Sequence, residues 1–375
     1  MTAEAPQLAG TEDHPHARLV LGSALASGSP SHAYLFHGPP GTGKRTAARA
    51  LAAELLAEGE DDPGAARTRA LHGTHPDLTW VRPTGAHVMR VSDVEGPVVA
   101  AAGRTPFESK RRVFVLERVD TMNDEVSNRL LKTLEEPPAF VHLILLTDQL
   151  GRVLETVVSR CQLVRFDPLP AERIAQLLEG EGVEPGRAHA AARLSLGNGS
   201  RARFLASDEG MALRGEVERL VFDALGAIHM EEPWRGLLQR AEERREGAEA
   251  AVEERKRERL EQEPRGRERS ALEREFDETA KRDGRRARTE ILELGLELAA
   301  LAFRDLVAAA SGADGAVLAT DRIEDLVSAA NDRDPVRLRQ AAEACEDTRS
   351  SLQLNVTEEL ALSALTFRLR ELVGS

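Results

Sequence analysis

The heptapeptide Gly38-Pro39-Pro40-Gly41-Thr42-Gly43-Lys44 has the spacing GxxxxGK. It follows the apolar run Tyr34-Leu35-Phe36 and opens an Ala/Leu-rich stretch, Lys44–Ala57. A strand, a Gly-rich turn and then a helix is the context a phosphate-binding loop requires. The glycines let backbone N–H groups turn inward, the helix N-terminus adds partial positive charge, and Lys44 reaches the β/γ-phosphates. Gly38, Gly41, Thr42, Gly43 and Lys44 are therefore candidate nucleotide contacts. The loop also constrains the fold around it. Val113-Phe114-Val115-Leu116 and Leu143-Ile144-Leu145-Leu146 are unbroken apolar runs, as expected of parallel strands buried on both faces. Between them, Asn123 to Glu136 reads as a helix with Asn at its N-cap and Pro137-Pro138 as its stop. Strands alternating with helices predict an α/β domain with a parallel sheet over residues 1–166.

The pattern changes after Arg165. Pro168 and Pro170 open three short helices, near Ala171–Glu179, Gly186–Leu196 and Ser200–Ala206, a small helical domain over 167–210. From 211 to 375 only helical periodicity remains. Ile291, Leu294, Leu298 and Leu301 form one apolar stripe and Leu362, Leu365, Leu369 and Leu372 another, both suited to a bundle. Residues 241–288 are dense in charge of both signs, interrupted by Pro264 and Gly266. They read as a solvated helical hairpin laced by i,i+4 ion pairs, with a partner-binding arm as the sharper alternative. The cluster Arg285, Arg286 and Arg288 is a weak candidate for nucleic acid because it sits among acids.

Net charge of −13 argues against a protein that coats DNA alone, and 3% aromatics argue against a base-stacking platform. No long uncharged apolar run suggests a membrane span, and the N-terminal stretch lacks a secretory pattern. Two cysteines, Cys161 and Cys345, are too few for a disulfide framework, which fits a reduced cytoplasmic setting.

The loop departs from a working ATPase at the next residue. Ser or Thr there places a hydroxyl on Mg²⁺; here it is Arg45, whose guanidinium has no lone pair to offer. Thr46 is no substitute, since it lies about 100° further round the helix. A hydrolysing enzyme also places Asp-Glu after the strand Val113–Leu116, to support the metal and polarise water. This chain has Glu117-Arg118, and Arg118 cannot act as a base. Asp120 comes three residues late. Both changes predict a silent site, with nucleotide binding left open.

A polar residue, Thr147, ends the strand Leu143–Leu146 and is a candidate γ-phosphate sensor. Ser159-Arg160-Cys161 follows a helix-like stretch. Strand, Thr147, helix and Ser-Arg-Cys together resemble the clamp-loader branch of the AAA+ family. In order, His75-Pro76-Asp77, Arg104-Thr105-Pro106-Phe107, Val113–Glu117 and Asn128-Arg129-Leu130-Leu131-Lys132-Thr133-Leu134-Glu135-Glu136-Pro137-Pro138 resemble the delta-prime family of bacterial DNA polymerase III clamp loaders, over about Ser31 to Ala206. Asn355-Val356, before the last helix, also resembles that family's collar.

The resemblance implies a RecA-like AAA+ domain, a helical lid and a helical collar that oligomerises. It implies a stator that does not hydrolyse ATP and presents Arg160 as an arginine finger to a neighbouring tau/gamma motor subunit. Such a finger is worth about 10³–10⁵ in rate. Implied partners are the delta and tau/gamma subunits, and through the assembly the beta sliding clamp and primed DNA. No cofactor is required for that role; residual ATP or ADP binding stays open. Many relatives carry a four-cysteine zinc module before His-Pro-Asp. Residues 59–74 hold no cysteine, and His72 and His75 are too few ligands, so no zinc is expected. Arg201 stands at the family's sensor 2 position, either facing nucleotide or merely starting a helix. The competing expectation is an active AAA+ ATPase, a motor subunit or related remodeller, which must accommodate Arg45 and Arg118. A DNA-binding module acting alone fits the acidic charge poorly.

Overall fold

The computed structural model describes residues 8–85, 88–261, 267–352 and 356–374. Asn355, Pro264 and Gly266 lie outside the described residues. The chain divides into two compact units, residues 1–170 with 197–200, and residues 171–196 with 201–375.

The first unit is built on strands β1 (Ala33–His37), β2 (Leu78–Val81), β3 (Arg112–Leu116), β4 (Val141–Thr147) and β5 (Gln162–Arg165). They form one sheet in the order β2-β3-β4-β1-β5, with every pairing parallel. Its helices are α1 (Pro15–Ala26), α2 (Lys44–Ala57), α3 (Pro63–His72), α4 (Val91–Val94), α5 (Asp124–Glu135) and α6 (Glu155–Val158). The apolar runs are continuous because both faces of the sheet are covered. Tyr34, Phe36, Val113, Val115, Ile144 and Leu146 point into one core with Leu51, Leu55 and Leu56 of α2. Leu35, Phe114, Leu116, Leu143 and Leu145 point into the other with Val126, Leu130 and Leu134 of α5. That is the period-2 alternation of a strand, with an apolar residue on each side. The α2 bounds agree with the sequence expectation, and Asn123 caps α5 by accepting from the Val126 N–H at 3.0 Å.

His75-Pro76-Asp77 has a structural task. Asp77 is fully buried, and its carboxylate accepts from the backbone N–H groups of Phe107 (2.6 Å), Glu108 (2.9 Å) and Ser109 (3.0 Å). Its own carbonyl accepts from Val113 at the start of β3. One side chain thus fixes the loop that feeds β3. His75 is buried beside it, taking the Asp77 N–H on Nδ1 at 3.2 Å.

The second unit is helical: α7 (Ala171–Gly180), α8 (Pro185–Leu194), α10 (Asp208–Ala224), α11 (Arg235–Glu261), α12 (Arg267–Ala310), α13 (Ile323–Ala330), α14 (Pro335–Leu352) and α15 (Glu358–Val373). The helix α9 (Gly199–Ala206) starts in the first unit and continues in the second. Leu362, Leu365 and Leu369 are buried as the α15 stripe requires. On α12 Leu292, Leu296, Ala299, Phe303 and Leu306 are fully buried; of the expected stripe, Ile291 and Leu298 are buried and Leu294 and Leu301 are half-buried. This helix packs against α10, α11, α13 and α14, so its apolar surface wraps around it instead of forming one stripe.

The described residues of the charged stretch are helical. Helices α11 and α12 lie along each other, with Val252 and Leu260 buried between charged faces. Pairs such as Arg245–Glu249 (2.6 Å) run along a helix, and Lys256–Asp277 (2.6 Å) and Arg288–Glu242 cross between helices. In the arginine cluster, Arg286 pairs with Glu290 and Arg288 also pairs with Glu358.

Candidate nucleotide site and exposed arginine

Because β1 lies between β4 and β5, and β3 borders β4, the C-terminal ends of β1, β3 and β4 are neighbours. In a parallel α/β sheet that edge is where ligands bind. The phosphate loop follows β1, Glu117 follows β3, and Thr147 and Asp148 end β4.

The loop has the geometry its sequence requires. Gly41 and Gly43 adopt φ of 74° and 93°, open to glycine but strained for other residues. Thr42 is buried and donates to the Pro39 carbonyl at 2.9 Å. Lys44 is buried, and its Nζ donates to the carbonyls of Gly38 and Pro39, each at 2.6 Å, and to Asp148 at 2.7 Å. Burial pulls its ammonium below the usual lysine range, and the Asp148 carboxylate opposes that. Thr147 is buried, donates to Asp120 at 2.9 Å and accepts from the Gln149 N–H. The segment before α9 closes on the loop: the Gly199 N–H donates to the Gly41 carbonyl at 3.1 Å, and Asn198 sits directly against the Gly41 Cα.

Arg45, one of the two departures read from sequence, is partnered by Glu117, the acid that precedes the other, Arg118. Glu117 is only 2% exposed, and its Oε2 accepts from the Arg45 guanidinium. Its Oε1 accepts from Trp80 Nε1 at 2.6 Å and Arg82 Nε at 3.1 Å. Burial would push this carboxyl up, but Arg45, Arg82 and Trp80 outweigh it and hold it below the ordinary glutamate range. Both oxygens are engaged by fixed donors, and the residue beside Lys44 is a cation. Mg²⁺ demands oxygen ligands in near-octahedral array, and this donor set does not fit it. Arg118, in the left-handed region at φ 56°, follows directly and carries no carboxylate.

Arg160 stands apart from that cluster, between α6 and β5. Its neighbour Cys161 packs into the core beneath β4, and burial pushes the thiol up to about 12, so it stays neutral. With Cys161 as the anchor, Arg160 is turned outward and its side chain is 34% exposed. Its Nη1 donates to the Thr156 carbonyl at 2.8 Å and its Nη2 to Glu135 at 2.6 Å. Arg201, in the second unit, makes a two-pronged contact with Glu297 at 2.6 and 2.9 Å. Sequence reasoning gave no role to Trp80, Arg82, Glu135, Asp148 or Asn198, although Glu135 lies inside the singled-out segment Asn128–Pro138 and Asp148 follows Thr147 directly.

Comparison with known proteins finds similarity to subunits of DNA polymerase III. The family model described as "DNA polymerase III, delta subunit" matches residues 14–170. A DNA polymerase III subunit delta' from Bacillus subtilis is 32% identical over 213 residues, 56% of this chain and 64% of that protein. The subunit delta' of Pseudomonas aeruginosa is 38% identical over 168 residues, 41% of this chain and 50% of that one. A B. subtilis subunit tau is 30% identical over 222 residues, 56% and 38% of the two chains. The chain thus spans less than two thirds of the length of these relatives.

Proposed function

We propose a function from the premise that residues 14–170 belong to the DNA polymerase III delta-subunit family of AAA+ clamp-loader proteins. The chain is a stator. It is an accessory subunit that hydrolyses no ATP itself and supplies Arg160 to the nucleotide site of a neighbouring tau/gamma-type motor. The assembly it serves opens a sliding clamp and loads it on primed DNA.

The observation that carries this reading is the Arg45–Glu117 pair. It places fixed charge beside the phosphate loop, at the positions where a hydrolysing P-loop enzyme holds its metal. Two further features support it. Arg160 is outward-facing on a short, core-anchored segment. In the helical unit, α15 exposes Leu360 (67%) and Phe367 (70%), seven residues apart and so on one helix face. Exposed apolar side chains aligned this way suit a subunit interface. The membrane plays no part in the proposal; among the described residues no helix is long and apolar enough to cross one.

The test is assembly. Mixed with separately purified delta and tau/gamma subunits, the full chain is expected to co-elute as one hetero-oligomer in size-exclusion chromatography. Phe367→Glu is expected to reduce that peak. A chain that elutes alone at micromolar concentrations of every subunit removes the basis for a stator.

A further inference from the structure

The residues that displace the metal do more than leave a gap. One carboxylate, Glu117, is held by two guanidiniums, Arg45 and Arg82. Together they carry a single net positive charge. A carboxylate holding one divalent cation carries the same. Glu117 is buried, but the side chains of Arg45 and Arg82 are 60% and 54% exposed, so their cationic heads reach solvent beside the phosphate loop. Arg45 directly follows Lys44, whose ammonium already lies within hydrogen-bonding distance of the loop carbonyls. The loop's glycines are in the conformations that aim N–H groups inward.

We propose that Arg45, with Glu117 and Arg82, is a built-in replacement for the divalent cation, and that this loop binds nucleoside di- or triphosphate without Mg²⁺. The inference deepens the stator reading and rests on its claim that the site is silent. The chemistry is consistent on both sides. Guanidinium forms strong, charge-assisted hydrogen bonds to phosphate oxygens. A metal-free nucleotide carries more negative charge than its Mg²⁺ complex and so is drawn more strongly to a loop flanked by a cluster of one net positive charge. Nucleotide held this way has no metal to organise in-line attack. It would brace the fold around the loop and leave when displaced, not when hydrolysed.

The experiment is a fluorescence titration of the full chain with mant-ATP, in excess EDTA and in excess Mg²⁺, at matched ionic strength because exposed charges are screened by salt. For the native chain the two dissociation constants are expected to agree within about twofold, or to favour EDTA. Arg45→Thr removes the guanidinium and supplies the hydroxyl a metal needs; its binding is expected to become about tenfold tighter with Mg²⁺ than without. Arg45 is exposed enough that folding is expected to survive, and Arg45→Lys, which keeps the charge, is expected to stay metal-independent. Native binding that is tenfold tighter with Mg²⁺, or no binding under either condition, overturns the inference. These outcomes leave the stator reading standing. Hydrolysis of the bound mant-ATP would instead sink the stator reading, so the two failures are distinguishable.

Discussion

On the stator proposal, Arg160→Ala in a reconstituted clamp loader is expected to slow ATP turnover by about 10³-fold at the motor site it is proposed to serve, the lower end of the range for arginine fingers. The bulk rate falls less if other motor sites in the same assembly keep their own fingers. Folding and assembly are expected to be nearly unaffected. The side chain's contacts are a surface pair with Glu135 and a bond to the Thr156 carbonyl, and exposed pairs of this kind contribute about 0–1 kcal/mol. The anchor of the segment is Cys161, which the substitution leaves in place. To reach a neighbour's nucleotide, Arg160 must leave Glu135, a small cost that the charge of a triphosphate easily offsets. Single-turnover hydrolysis in a loader verified to be complete checks the prediction; an unchanged rate refutes it.

The largest stability effect is expected at Asp77. Its buried carboxylate satisfies three consecutive backbone N–H groups. Asp77→Ala leaves the buried Ser109 N–H and the two part-buried N–H groups before it without their acceptor, and an unsatisfied buried donor costs about 1–3 kcal/mol. Partial rearrangement of the loop would recover some of this, so a loss of about 3–5 kcal/mol is expected, at the upper end for one substitution. Asp77→Asn keeps an acceptor oxygen and is expected to fall between. The chain has two units and two tryptophans, Trp80 and Trp234. The first unit's unfolding is therefore best followed by Trp80 fluorescence during urea titration in a Trp234→Phe background. A loss under 1 kcal/mol would mean that the carboxylate does not hold the loop.

The parallel sheet was legible because its inner strands are apolar on both faces. The start of α2 was legible because glycines and an N-terminal lysine mark it, and the start of α5 because Asn123 caps it. The edge strands were not. Leu78–Val81 and Gln162–Arg165 bury only Val81 and Val164 fully, so neither gives a continuous apolar signal. Nor did periodicity on α12 show which leucines are fully buried, since a helix packed from several sides has no single inner face.

At the site, the motif residues could be read one at a time, but their pairings could not. In the sequence Glu117 is only the first half of Glu117-Arg118, with no sign of what engages it. Its captors Arg45, Trp80 and Arg82 lie 72, 37 and 35 positions away along the chain. Such pairings follow from strand order, because β2 borders β3 and β1 is one strand beyond, and local spacing carries no trace of that order. The same holds for Arg160 and Glu135, 25 positions apart and brought together where α5 ends beside α6. The structure therefore joins Arg45 to Glu117 in one feature, a guanidinium paired with a buried carboxylate beside the phosphate loop, and leaves Arg118 as a separate departure.

The most direct test of that account is steady-state ATP hydrolysis by the purified full chain alone, with saturating Mg²⁺, beside Lys44→Ala. The account predicts phosphate release at the background level, indistinguishable between the two proteins. Sustained Mg²⁺-dependent turnover that disappears in Lys44→Ala would contradict it and identify the chain as a motor in its own right.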